Sequence, residues 1–164
     1  YAPLSGSIVS ERVFKVLAEG TDAMGPIGHG WTYSAHPIAV AAGVANLKLV
    51  DSLNLLENVT VTGPALTTML QDAVGDHPNV AEVRGCGMLS AVEFAENPQE
   101  RRFYDPSLKV GAKVTAALMV HGVVGRAMPG GDILGFAPPL CLTMDEARAI
   151  VDATVKAVRD TFDS

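Results

Sequence analysis

Near the C-terminus, Ala147, Ile150, Val151, Val155, Val158 and Phe162 recur at helical period with charged residues between them. Thr143-Met144-Asp145-Glu146 has the spacing of a capping box ahead of this run, so the pattern predicts a long amphipathic C-terminal helix. Residues 10–18 carry Val13, Phe14, Val16 and Leu17 among charges, which predicts a short helix capped by Ser10, followed by a glycine-rich, nearly uncharged loop over 20–30. Pro37 suits a first helical turn. The residues after it, Ile38-Ala39-Val40-Ala41-Ala42-Gly43-Val44-Ala45, are apolar on every side, which predicts a buried helix with neighbours all round. A further helix is expected from Gly63-Pro64 through Leu66, Met69, Leu70 and Val74, ending at Gly75.

From about residue 80 the period changes. Residues 80–94 alternate with β-branched positions and hold Gly85 and Gly87 in their middle, as for two strands joined or bulged there. Asp105-Pro106-Ser107 opens a helix running to about His121, closed by Gly122, and strands over 123–128 and 133–137 are joined by Pro129-Gly130-Gly131-Asp132. Residues 80–162 therefore predict a compact α+β layer of a few mainly antiparallel strands with helices on one face.

With 164 residues, 48% hydrophobic and 18% charged, the chain can bury a core in one or two small domains. A net charge of -6 with 12 Lys and Arg offers no basic stripe, so nucleic acid is not an expected partner. The longest apolar stretch, residues 37–47, falls short of the ~20 residues of a membrane helix, and the chain reads as soluble and cytoplasmic. Cys86 and Cys141 sit in apolar sequence and read as reduced core thiols. Tyr1-Ala2-Pro3-Leu4-Ser5-Gly6 reads as the end of an extended segment of something larger.

Two places concentrate chemistry. Arg126 is a guanidinium inside the apolar run Val123-Val124-Gly125-Arg126-Ala127-Met128, and such a charge calls for an anion. A carboxylate of the protein, such as Glu93 or Asp132, could supply it; so could a ligand, and the side chain could also lie along an exposed strand face. The stretch His29-Gly30-Trp31-Thr32-Tyr33-Ser34-Ala35-His36-Pro37 places hydroxyls, an indole and free backbone N–H groups ahead of a helix start, which suits an anion such as phosphate. The plainer alternative has Ser34 or His36 capping the helix and Trp31 filling a core. No metal site is expected, since His29 and His36 have no carboxylate or cysteine beside them, and His77 and His121 read as helix-end or surface residues. No Ser-His-Asp set, phosphate loop or dinucleotide fingerprint is present, and Lys15, Lys48, Lys109, Lys113 and Lys156 all fall on expected helices in mixed company.

At Tyr1-Ala2-Pro3-Leu4-Ser5-Gly6, at residues 29–37, and at Gly125-Arg126-Ala127-Met128 with Asp132-Ile133-Leu134-Gly135-Phe136-Ala137-Pro138-Pro139-Leu140, the chain resembles the C-terminal part of class III (omega-type) pyridoxal-phosphate aminotransferases, most of all the amine–pyruvate aminotransferases. The resemblance implies an α/β fold type I transferase. Residues 1–75 would end the large cofactor domain with its connecting helices, and residues 76–164 would form the small α+β C-terminal domain. It also implies pyridoxal 5'-phosphate as cofactor, amine and keto-acid substrates in a ping-pong reaction, and a homodimer or higher homo-oligomer with shared active sites. The Schiff-base lysine would lie just before Tyr1, so no catalytic residue is expected within the chain. Thr32 matches the threonine that bonds the cofactor phosphate of the neighbouring subunit, Trp31 the aromatic residue beside cofactor and substrate, and Arg126 the mobile arginine that grips the keto-acid carboxylate. Two other readings remain: a class III enzyme using an amino acid or a diamine with 2-oxoglutarate, and a non-catalytic α+β binding or assembly module.

Overall fold

The computed structural model describes residues 2–26, 28 and 30–163; the expectations attached to Tyr1 and His29 lie outside the described residues. Packing divides the chain into two units, Tyr1–Asp51 and Ser52–Ser164.

In the first unit, helix α1 (Glu11–Met24) starts where Ser10 Oγ accepts the Val13 N–H at 3.4 Å. It continues through Gly20, so the loop expected from residue 20 begins only at Gly25. Helix α2 (Pro37–Ser52) begins at its proline as expected. Its burial does not follow: Ala39 is its buried residue, while Ile38, Val40, Val44, Leu47 and Leu49 are exposed. An all-round apolar helix asks for neighbours on all sides, and its own unit offers α1 and an extended lead-in whose Leu4 lies against Gly43.

The second unit carries the core. Helix α3 (Leu55–Val74) leads into strands β1 (Val80–Cys86) and β2 (Leu89–Phe94), which form a hairpin turning at Gly87 with φ 56°. A 3-10 turn (Pro106–Leu108), capped by Asp105 accepting the Ser107 N–H at 2.8 Å, precedes helix α4 (Val110–Val120). Lys109, at φ 50°, separates the two, so the single helix expected over 105–121 is interrupted there. Strands β3 (Arg126–Ala127) and β4 (Ile133–Phe136) follow, then helix α5 (Met144–Phe162). The four strands form an antiparallel sheet in the order β1-β2-β4-β3.

Alternation gives the sheet two unlike faces. Ser90, Val92, Phe94, Leu134 and Phe136 point to the buried side, where α3 covers β1 and β2, α4 covers β3 and β4, and α5 packs on both helices. Leu66, Leu70, Val114, Leu118, Ala147 and Val158 fill this side from the helices. α3 thus belongs to the C-terminal unit, and packing divides the chain at Asp51 and Ser52 rather than at residue 75. No single helix among the described residues is long and apolar enough to cross a membrane.

Two expected boundaries shift, one for a tertiary reason and one for a local one. Gly63-Pro64 read as a helix start, yet Pro64 lies inside α3. Gly63 is there because the hairpin turn rests on it: a Cβ at that position would overlap the Gly87 carbonyl. β3 is two residues long instead of spanning 123–128, because Val123 still bonds α4 through its N–H to Leu118 O at 3.2 Å. The capping box of α5 is complete: Thr143 Oγ1 accepts the Glu146 N–H at 3.3 Å and the Glu146 carboxylate accepts the Thr143 N–H at 2.8 Å. The Thr143 backbone and hydroxyl hold the Glu146 carboxyl below the usual glutamate range. A depressed folded value means that the stabilisation is present above the unfolded pKa and is lost as pH falls through the folded one. Thr143→Ala is expected to lower the unfolding midpoint at neutral pH, with the gap from the parent narrowing in acid by the share of the Thr143 hydroxyl bond to the Glu146 carboxylate while the lost cap on the Glu146 N–H persists; a gap that does not narrow at all would contradict the assignment.

Candidate active site

The open face of the sheet is built from the residues that alternate with the core. One cross-strand row runs Arg84, Ala91, Gly135, Arg126 over β1, β2, β4 and β3. Two guanidinium-bearing residues therefore flank a floor with almost no side chain. A cavity of about 590 Å³ lies on this face, walled by Leu89, Met128, Ile133 and Cys86 and lined by both arginines.

The two arginines are not equivalent. Arg84 donates to Glu82 at 2.7 Å and to Glu93, and these bonds, Glu93 first, hold its guanidinium more firmly protonated. Arg126 makes no ion pair among the described residues. Both carboxylates that might have neutralised it are placed otherwise. Glu93 is taken by Arg84, and Asp132 is buried on the helix side of the sheet. Burial pushes the Asp132 carboxyl above its ordinary range and nearby Glu93 adds to this, against the backbone N–H of Tyr104, which pulls it down. Of the alternatives open in the sequence, the internal ion pair is absent among the described residues, and Arg126 is an exposed guanidinium at the edge of an apolar-walled cavity.

Trp31 and Thr32 stand in the other unit, at the turn before α2. Ser34 Oγ accepts the Trp31 N–H at 3.1 Å, so Ser34 braces this turn instead of capping the helix. Trp31 is 75% exposed, so among the described residues it does not fill a core. Thr32 is exposed, and among the described residues its hydroxyl has no hydrogen-bond partner. A free hydroxyl beside an exposed indole is a donor set that fits a phosphate and the flank of an aromatic cofactor.

Other residues depart from expectation. Cys86 and Cys141 are free and exposed, not core thiols: Cys86 ends β1 on the open face and Cys141 lies in the loop before α5. His77 and His121 are at helix ends as expected, each paired with a carboxylate near the end of α5, Asp163 at 3.3 Å and Asp160 at 2.7 Å. Lys109 is not helical. No group of three or more potential metal ligands occurs among the described residues. The Arg84 cluster and the position of Gly135 opposite Arg126 were missed from sequence. The signal was present in the hairpin, where counting outward from Gly87-Met88 sets Arg84 opposite Ala91 and near Glu93.

Comparison with known proteins identifies the family. The family model for class III aminotransferases matches residues 2–158. The diaminobutyrate–2-oxoglutarate transaminase of Halomonas elongata is 50% identical over 164 residues, covering 100% of this chain and 35% of the relative. The putrescine–pyruvate aminotransferase of Pseudomonas aeruginosa is 35% identical over 96% of this chain and 35% of its own length. Among solved structures, one from directed evolution of transaminases by ancestral reconstruction superposes with a TM-score of 0.92 at 50% identity, covering 94% of this chain and 34% of that one. The omega transaminase of Pseudomonas jessenii in complex with PMP gives 0.85 at 34% identity, with the same coverage. The chain thus spans about a third of the length of the proteins it matches.

Proposed function

The chain belongs to the class III aminotransferases, a pyridoxal-phosphate-dependent family of fold type I, and from that premise we propose that it acts within a longer polypeptide that moves an amino group from an amine to pyruvate or a similar keto acid. The observation that carries the acceptor is the charge arrangement on the open face. One uncommitted guanidinium, Arg126, lines the cavity, while Arg84 is already held by two carboxylates. One free charge matches a monocarboxylate, and the fork of Arg126 binds both of its oxygens. When a carboxylate-free amine occupies the pocket, Arg126 swings aside.

Bound pyridoxal 5'-phosphate supplies the electron sink for the reaction. The chain's own part is recognition. Thr32 would hold a phosphate oxygen of the cofactor through its hydroxyl and Trp31 would wall the pocket, both across the interface of a homodimer with shared sites. Thr32→Val in the full-length enzyme is expected to weaken cofactor retention by about 1–3 kcal/mol. Equilibrium dialysis checks this, and an unchanged affinity would remove Thr32 from the site.

A second reading, transfer from a diamine or an amino acid to 2-oxoglutarate, is favoured by the 50% identity to the Halomonas elongata relative. The full-length enzyme, loaded with an amino group and offered pyruvate and 2-oxoglutarate in turn, separates the two through the rate of change of cofactor absorbance. A clear preference for pyruvate supports the first reading, and a clear preference for 2-oxoglutarate replaces it with the second.

A further inference from the structure

β3 is an unusual place to mount a functional charge. It is an edge strand of two residues, paired on one side only, so its ladder alone leaves Arg126 poorly fixed. Its other supports lie in the hairpin tip. Met128 donates its N–H to Ile133 O at 2.9 Å, and the Gly131 N–H closes the tip onto Met128 O at 2.9 Å. Gly131 itself holds φ 91°. The tip is then fastened to α4, where the Gly111 N–H donates to Gly131 O at 2.7 Å. Gly111 is the second residue of α4, and its N–H is one of those that have no acceptor within their own helix. The contact needs glycine. Gly111 is buried, and a Cβ there would overlap the Gly131 carbonyl oxygen, with the carbonyl carbon at 3.2 Å and Ile133 N at 3.4 Å.

The two strands of this hairpin would not share a displacement equally. β4 is locked to β2 along its length, and at its start Asp132 O accepts the Phe94 N–H at 2.7 Å. Among the described residues β3 has no strand on its outer side. Movement of the tip away from α4 therefore falls on β3 and on Arg126.

We infer that Gly111 is a positioning residue for Arg126: by letting the start of α4 bond the tip carbonyl of Gly131, it holds the edge strand where the guanidinium can meet a keto-acid carboxylate over the Gly135 floor. The inference rests on the reading of Arg126 as the carboxylate clamp. Nothing about Gly111 touches substrate; it acts through the backbone of residues 126–131.

The test uses the full-length holoenzyme with Gly111→Ala, Arg126→Ala and the double variant. Each is measured in the two half-reactions separately, with pyruvate and with a carboxylate-free amine. Calorimetric binding of propanoate, a carboxylate that cannot react, and the melting temperature are read in parallel. Gly111→Ala is expected to raise the KM for pyruvate and weaken propanoate binding about 10- to 100-fold while leaving the amine half-reaction near the parent rate. In the Arg126→Ala background it should add no further loss toward pyruvate. Equal losses in both half-reactions, or the same loss with and without Arg126, would make Gly111 merely structural and overturn the inference. A selective loss for Arg126→Ala with none for Gly111→Ala overturns the inference alone, whereas no selective loss for Arg126→Ala overturns the clamp reading and the inference with it. Should Gly111→Ala fail to fold, Gly131→Ala serves in its place. Its Cβ would meet open space, but the positive φ strains the same tip, and the same selective pattern is expected.

Discussion

Arg126→Ala in the full-length enzyme is expected to slow the pyruvate half-reaction roughly a hundredfold, about 3 kcal/mol, while the half-reaction with a carboxylate-free amine stays near the parent rate. The asymmetry follows from where the charge sits. Arg126 is exposed on the open face of the sheet, with no ion-pair partner among the described residues, so its removal leaves no protein carboxylate stranded. The loss then falls on whichever substrate brings its own carboxylate, since a bidentate charge-assisted contact disappears from that complex alone. An arginine serving as an internal ion pair would behave differently, because its removal orphans a charge, lowers the melting temperature and damages both halves together. Single-turnover changes in cofactor absorbance, followed one half-reaction at a time, separate these patterns. Equal losses with a lower melting temperature would end the clamp reading. Arg126→Lys should recover only part of the loss, because an ammonium cannot reproduce the planar fork.

How legible was this in the sequence? Elements with local signals stand where the sequence predicts them. The Ser10 cap, the proline at the start of α2, the glycine at the 87 turn and the Thr143 capping box each act within a few residues, and each appears where expected. The departures at Gly63 and at Arg126 share one cause, a demand placed by a residue distant in sequence. Gly63 looked like punctuation before Pro64, yet it is small because the hairpin turn presses on the middle of α3. The apolar run of α2 was legible as a demand for neighbours, but periodicity cannot say whether the same 164 residues supply them. The same holds at the site. Arg126 stood out as a charge in an apolar run, and Glu93 was a fair candidate to neutralise it. Only the pairing of β1 with β2 brings Arg84 to Glu93 first and leaves Arg126 without a carboxylate partner among the described residues. The resemblance identified residues 31, 32 and 126 by type and order; the competition between two arginines for one glutamate needed the register.

The largest stability effect is expected at Phe94, the last residue of β2 and among the largest fully buried side chains. Its ring faces Phe162 at 5.5 Å, and Phe162 in turn meets Tyr104 at 6.2 Å and His77 at 5.5 Å. This cluster joins the last turn of α5 to the sheet and to the segments that follow α3 and precede α4. Phe94→Ala would open a cavity under all of them and cost about 3–5 kcal/mol. Phe94→Leu, which keeps most of the volume, should cost much less, and the difference between the two separates lost packing from lost aromatic contact. Thermal unfolding of the full-length protein measures both. The Phe94 backbone N–H also holds Asp132 O, so loosening this residue should reach the start of β4 and the tip that carries β3. Phe94→Ala is therefore expected to weaken pyruvate handling below its own melting transition, and full activity at reduced stability would mean that the core face and the open face of the sheet are uncoupled.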